Sequence, residues 1–169
     1  MKDFKDTVKK MIAEGEYSPN MNEVLNLIIE GKMNSLTLDD FLSQRDLSYD
    51  IIKEESLNVI IDYANICLAD DVLTEEEMKN IGLLKLFFKV KPEDFSIYGR
   101  ESDIRDILGF QLRRMYEDDV VDQDEAIMKT NLQSLFDLSY DDFLEIVNDI
   151  AKESLSRGAD VKDLDTFIS

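Results

Sequence analysis

Leu57-Asn58-Val59-Ile60-Ile61-Asp62-Tyr63-Ala64-Asn65-Ile66-Cys67-Leu68 runs directly into Ala69-Asp70-Asp71-Val72-Leu73-Thr74-Glu75-Glu76-Glu77. In the first stretch, Leu57, Ile60, Ile61, Ala64, Cys67 and Leu68 recur at the i, i+3, i+4, i+7 spacing of one helix face. The second stretch breaks that period with acids, then restarts it: Thr74-x-x-Glu77 has the spacing of a capping box at a new helix start. Helix, acidic turn, helix is therefore the local unit. The same stripe recurs at Ile104, Leu108, Leu112 and Met115, at Met128, Leu132, Leu135 and Phe136, and at Phe143, Ile146, Val147 and Ile150. Six Gly and two Pro offer few breaks, and no segment alternates with period two.

These patterns predict an all-α, single-domain helical bundle over residues 1–169. Its helices fall near 4–13, 20–31, 38–45, 49–69, 75–89, 101–117, 123–137 and 140–157, with a short last one near 161–168. Cys67, on the apolar stripe, reads as a core residue.

Sliding the chain by 48 residues superposes two units. Asp70-Asp71-Val72 lands on Asp118-Asp119-Val120, Glu77 on Glu125, Leu84 on Leu132, Phe88 on Phe136, and Asp94-Phe95 on Asp142-Phe143. A third, degraded copy opens the chain: Ala13-Glu14-Gly15-Glu16-Tyr17-Ser18-Pro19 parallels Ala69 to Glu75, with Met21 in the place of Glu77. The pseudo-repeats then cover about 4–46, 49–98 and 101–157. Were successive long helices antiparallel, the turns near 14–18, 70–74 and 118–122 would share one end of the bundle.

Composition narrows the chemistry. The chain has 38 Asp and Glu against 19 Lys and Arg, a formal net charge of -19, no His and one Cys. Without His, the usual zinc ligand sets and the His-dependent nucleophile systems are missing. Net negative charge disfavours binding a nucleic-acid backbone or an anionic bilayer surface. The N-terminus lacks the apolar run of a signal peptide, so the expected compartment is the cytoplasm. Lys85, Lys89 and Lys91 form a basic strip, as do Arg113-Arg114, and both are expected to pair with the chain's own carboxylates.

The acids concentrate in two places: Asp70, Asp71, Glu75, Glu76 and Glu77, and then Glu117, Asp118, Asp119, Asp122, Asp124 and Glu125. Helix capping and the helix dipole account for part of each group. The remaining acids repel one another unless a hard cation such as Ca²⁺ or Mg²⁺ or a basic partner neutralises them. The candidate metal ligands are Asp70, Asp71, Glu77, Asp118, Asp119, Asp122 and Glu125. The pattern is not an EF-hand, because Ile81 and Lys129 stand where a bidentate Glu is required.

The turn Ala69 to Glu77, with Gly15-Glu16-Tyr17-Ser18-Pro19 as its first copy, resembles the signature turn of the TerB-like (tellurite-resistance protein B) superfamily. There an Ala-Asp-Gly turn precedes a hydrophobic residue, Ser/Thr and Glu. The resemblance implies an all-α bundle of bacterial or phage origin with a stress-response connection. It also implies divalent-metal binding, carried over at Asp70, Glu77, Asp118 and Glu125. Asp71 and Asp119 depart from the family's Gly. The expected function is a non-enzymatic binding module with no required cofactor and another protein as partner. The alternatives are an acidic interaction or inhibitor protein without a metal site, and an enzyme using carboxylate-bound metal.

Overall fold

Five of the helices begin where a short polar side chain accepts N–H groups that a first turn leaves exposed. In the computed structural model, which describes residues 3–69, 73–115 and 131–156, the helices are α1 (Phe4–Glu14), α2 (Pro19–Ile29), α3 (Ser35–Gln44), α4 (Tyr49–Leu68), α5 (Glu75–Phe87), α6 (Asp94–Ile97), α7 (Glu101–Met115), α8 (residues 131–135) and α9 (Tyr140–Ser156). Asp3 caps α1, Ser18 caps α2, Asn34 caps α3, Thr74 caps α5 and Ser139 caps α9. Each such cap is worth about 1 kcal/mol. Every regular element among the described residues is a helix, and none of these is long and apolar enough to cross a membrane. The helix expected at 161–168 lies outside the described residues.

The helices also stop in one repeated way. Gly31, Asp46, Lys89, Gly99 and Asp137 all take positive φ. After each, the next N–H returns to a carbonyl five residues back: Lys32 to Leu27, Leu47 to Leu42, Val90 to Lys85, Arg100 to Phe95 and Leu138 to Gln133. This is the Schellman closure, which satisfies carbonyls the helix end would otherwise leave open. Three of the five left-handed residues carry side chains, which is why the stops at Asp46, Lys89 and Asp137 leave no glycine in the sequence. The helix expected over 75–89 accordingly ends at Phe87. The helix expected from 38 starts at Ser35, because Asn34 accepts the Thr37 N–H at 2.9 Å.

The 48-residue spacing recurs in burial at several matched core positions. Ile60 and Leu108, Ala64 and Leu112, and Leu84 and Leu132 are all fully buried, as are Phe88 and Phe136 within 2%. The left-handed stops at Lys89 and Asp137 are 48 apart, and so are two capping contacts: Asp94 Oδ2 accepts the Lys91 N–H, and Ser139 pairs with Asp142. Apolar burial at matched positions contributes about 1.5–3 kcal/mol per large side chain.

α4 is the spine. It packs against α1, α2, α5 and α7, while α9 packs on α7. Burial extends round most of its circumference: Ile52, Leu57, Val59, Ile60, Tyr63 and Ala64 are almost wholly covered, and Cys67 lies in the same core. The ring of Phe4 meets Tyr63 edge-on at 5.5 Å. One charged residue shares this environment. Lys53 continues the buried stripe one turn before Leu57, and its ammonium donates to Asp94 at 2.9 Å and to the Lys89 carbonyl at 3.0 Å. Both side chains are only 9% exposed. The pair ties α4 to the start of α6 and to the stop after α5.

Burial pushes the Asp94 carboxyl upward, but the Lys91 N–H and the Lys53 ammonium outweigh it and hold the group below its ordinary value of 3.8. A carboxyl lowered on folding adds stability above its unfolded value, and loses it as pH falls through the folded value. Urea unfolding of the wild type and Asp94→Asn should therefore differ most above about pH 5 and converge in acid below about pH 3. A gap that stays constant across that range would contradict the assignment. Lys53→Met, which leaves a buried carboxylate without its cation, should lower stability by about 3 kcal/mol.

Candidate functional site

The turn before α5 is built around Thr74. Its hydroxyl accepts the Glu77 N–H at 3.3 Å, and Glu77 Oε2 accepts both the Thr74 N–H and the Thr74 hydroxyl at 2.9 Å. Glu77 is 7% exposed and Leu73 is fully buried. A polar side chain from α7 completes the turn: Gln111 Oε1 accepts the Leu73 N–H at 2.7 Å. Of the seven candidate metal ligands, Glu77 is thus a buried capping group turned toward its own helix. Asp70, Asp71, Asp118, Asp119, Asp122 and Glu125 lie outside the described residues. Among the described residues, no three carboxylate or thiol side chains stand close enough to hold a metal ion.

The first turn solves the same capping problem with different residues. Ser18 caps α2 and Met21 occupies the N3 position, where a carboxylate would normally return to the cap. Met21 is instead buried in the core. The missing carboxylate comes from α4: Glu55 Oε1 accepts the Ser18 N–H and Oε2 the Ser18 hydroxyl, both at 2.6 Å. Two turns further along α4, Asp62 Oδ2 accepts the Tyr17 hydroxyl at 2.5 Å. Burial and the adjacent Asp62 carboxylate both push the Tyr17 phenol far up, so it remains a donor. Gly15 is required here, since a Cβ would stand 2.6 Å from the Met11 carbonyl and 2.5 Å from the Tyr17 ring.

The first turn lies against α4. Gly15 and Tyr17 line a small cavity with Ala69, at the end of α4 from which the second turn leaves. Ser18 is tied to Glu55, about 10 Å from Asp62 along the α4 axis. The third turn is outside the described residues. The other connections do gather. Lys89 binds Asp39 at 2.7 Å, Asp39 also accepts the Tyr49 hydroxyl, and the Lys89 carbonyl receives Lys53 from the Asp94 pair. The Lys89 ammonium, with help from Tyr49, holds the Asp39 carboxyl below its ordinary value.

Lys85, Lys89 and Arg113 of the basic strips pair with the chain's own carboxylates, as expected. Lys85 binds Asp137 and the Leu135 carbonyl, Lys89 binds Asp39, and Arg113 binds Glu153. Glu55, Asp62 and Gln111 act across 37 to 45 residues, so no local motif announces them. Lys53 did carry a signal: it stands four residues before Leu57 on the buried stripe.

A second feature lies on the opposite face of α5. A groove of about 1040 Å³ runs between α5 and α8, floored by Met78, Gly82, Leu83, Leu86, Val90 and Leu135 and bordered by Lys79, Lys85 and Lys89. Leu83 is 45% exposed and Leu86 74%. Lys79, Gly82, Leu83 and Leu86 follow the spacing of a single helix stripe, here facing outward.

Because Glu55 is the only carboxylate on the first cap among the described residues, Glu55→Ala should destabilise the protein by about 2 kcal/mol, at least as much as Glu77→Ala, in denaturant titrations. A loss below about 0.5 kcal/mol would show that the contact is not maintained in solution. Comparison with known proteins finds no matching family model, no matching curated protein and no matching solved structure.

Proposed function

We propose that this chain is a non-enzymatic helical binding module that engages a second protein by taking an amphipathic helix into the α5–α8 groove. The observation that carries this reading is Gly82. In a helix interior Gly costs about 1 kcal/mol relative to Ala, and no described residue lies within 4 Å of where its Cβ would be. Packing among the described residues therefore gives no reason for Gly at this position. On the outward stripe between Lys79 and Leu86, its missing side chain lets another backbone approach closely, in the manner of helix-in-groove recognition. Lys79 on the rim favours an acidic residue beside the incoming apolar ridge, Lys85 and Lys89 being engaged with Asp137 and Asp39.

A TerB-like assignment is compatible with this reading and is supported by the repeated helix–turn–helix unit, with Ser18 and Thr74 capping at equivalent places. Within that assignment, a Ca²⁺ or Mg²⁺ site would rest on Asp70, Asp71, Asp118, Asp119, Asp122 and Glu125, with Glu77 reserved for the cap.

Selection from a displayed library of helical peptides tests the proposal. Binders should present apolar residues at i, i+3 or i+4 and i+7 with acidic neighbours. Leu86→Glu should weaken them about tenfold or more. Gly82→Ala should stabilise the free protein by about 1 kcal/mol yet weaken the same peptides. Binders that are indifferent to both changes would place recognition elsewhere.

A further inference from the structure

A cavity of about 300 Å³, at the lower end of the range for ligand pockets, opens between α1, the first turn and α4. Its walls combine apolar surface from Met11 and Ile66 with the Tyr17 ring, the Asn65 amide and the Asp62 carboxylate. Lys10 and Glu14 also line it and face each other at 3.8 Å. Asp62 is half-buried, and no Lys or Arg pairs with it among the described residues, in contrast to Asp39, Asp94 and Asp137. A desolvated carboxylate without a cation is unfavourable unless hydrogen bonds or a ligand compensate it. The Tyr17 hydroxyl compensates one oxygen, Oδ2.

We infer that this cavity binds a primary alkylammonium group, with the stem against Met11 and Ile66 and the charge at Asp62. The free valence decides which cation fits. With Oδ2 already accepting from Tyr17, Asp62 leaves one oxygen wholly open, which disfavours the bidentate guanidinium contact that arginine prefers. A compact ammonium with three rotatable donors can use that oxygen together with the Tyr17 hydroxyl oxygen and the Asn65 carbonyl oxygen. Gly15 keeps the ring where it is, because any side chain there would collide with it. This site is separate from the α5–α8 groove and does not depend on helix docking.

Amide chemical shifts followed by NMR during titration with Nα-acetyl-lysine N-methylamide test the inference. Saturable shifts confined to the region around Gly15, Tyr17, Asn65 and Ala69 are expected. The uncharged norleucine analogue should produce none, and the arginine analogue should bind about fivefold more weakly. Asp62→Asn, which can still accept from Tyr17, should lower affinity about tenfold, and Tyr17→Phe, which keeps the ring, should also weaken binding. Pentylamine run in parallel separates the two sources of the chemistry: a tighter blocked lysine identifies a protein side chain, and a tighter pentylamine a free amine. A peptide selected for the groove should leave the lysine titration unchanged. Non-saturating shifts spread over the acidic surface, an equal response to norleucine, or full retention in both variants would overturn the site.

Discussion

A helix cannot start inside a protein unless its first N–H groups find acceptors, and α4 supplies those acceptors at a distance. Glu55 completes the cap of α2 across 37 residues. It does so because the N3 position holds Met21, whose side chain is needed in the core. Gln111 on α7 does the corresponding work for the Leu73 N–H. The first and second turns are thereby each fastened to a long helix by a buried or half-buried polar contact. The Lys53–Asp94 pair fastens the far end of the same spine. Replacing such contacts with apolar residues would remove the directional information that fixes which turn meets which helix.

The helices and the core were legible because burial imposes a period. Leu57, Ile60 and Ala64, with Leu108 and Leu112 48 residues on from the last two, could be placed from spacing alone, and all are buried. The capping role of Glu77 was legible too, since the cap and its acceptor are three residues apart. What escaped depends on long-range geometry or on conformation without a residue signature. Glu55 and Asp62 looked like ordinary solvated acids on α4, and their roles exist only once the first turn folds back. The left-handed stops at Asp46, Lys89 and Asp137 lack the glycine that usually marks them. Gly82 is the reverse case, a glycine where no turn occurs, and its outward setting became visible only when the surroundings of its Cβ were known.

The net charge of -19 resolves into several kinds of carboxylate. Asp39, Asp94 and Asp137 pair with Lys89, Lys53 and Lys85 around the stop after α5. Glu55 and Glu77 accept N–H and O–H donors at helix starts. Asp62 has a hydroxyl partner, and one of its oxygens forms no hydrogen bond with any described residue. Against this background the α5–α8 groove is distinctive for its largely apolar lining, bordered by Lys79, Lys85 and Lys89.

Amide hydrogen exchange at the start of α2 addresses the clamp directly. In the wild type, the Ser18 N–H should exchange slowly under native conditions because Glu55 Oε1 accepts it. In Glu55→Ala, Ser18 and its neighbours should lose protection while α7 and α9 keep theirs, marking local opening of the first turn. Unchanged protection at Ser18 would contradict the account, since it would mean that the turn holds without α4.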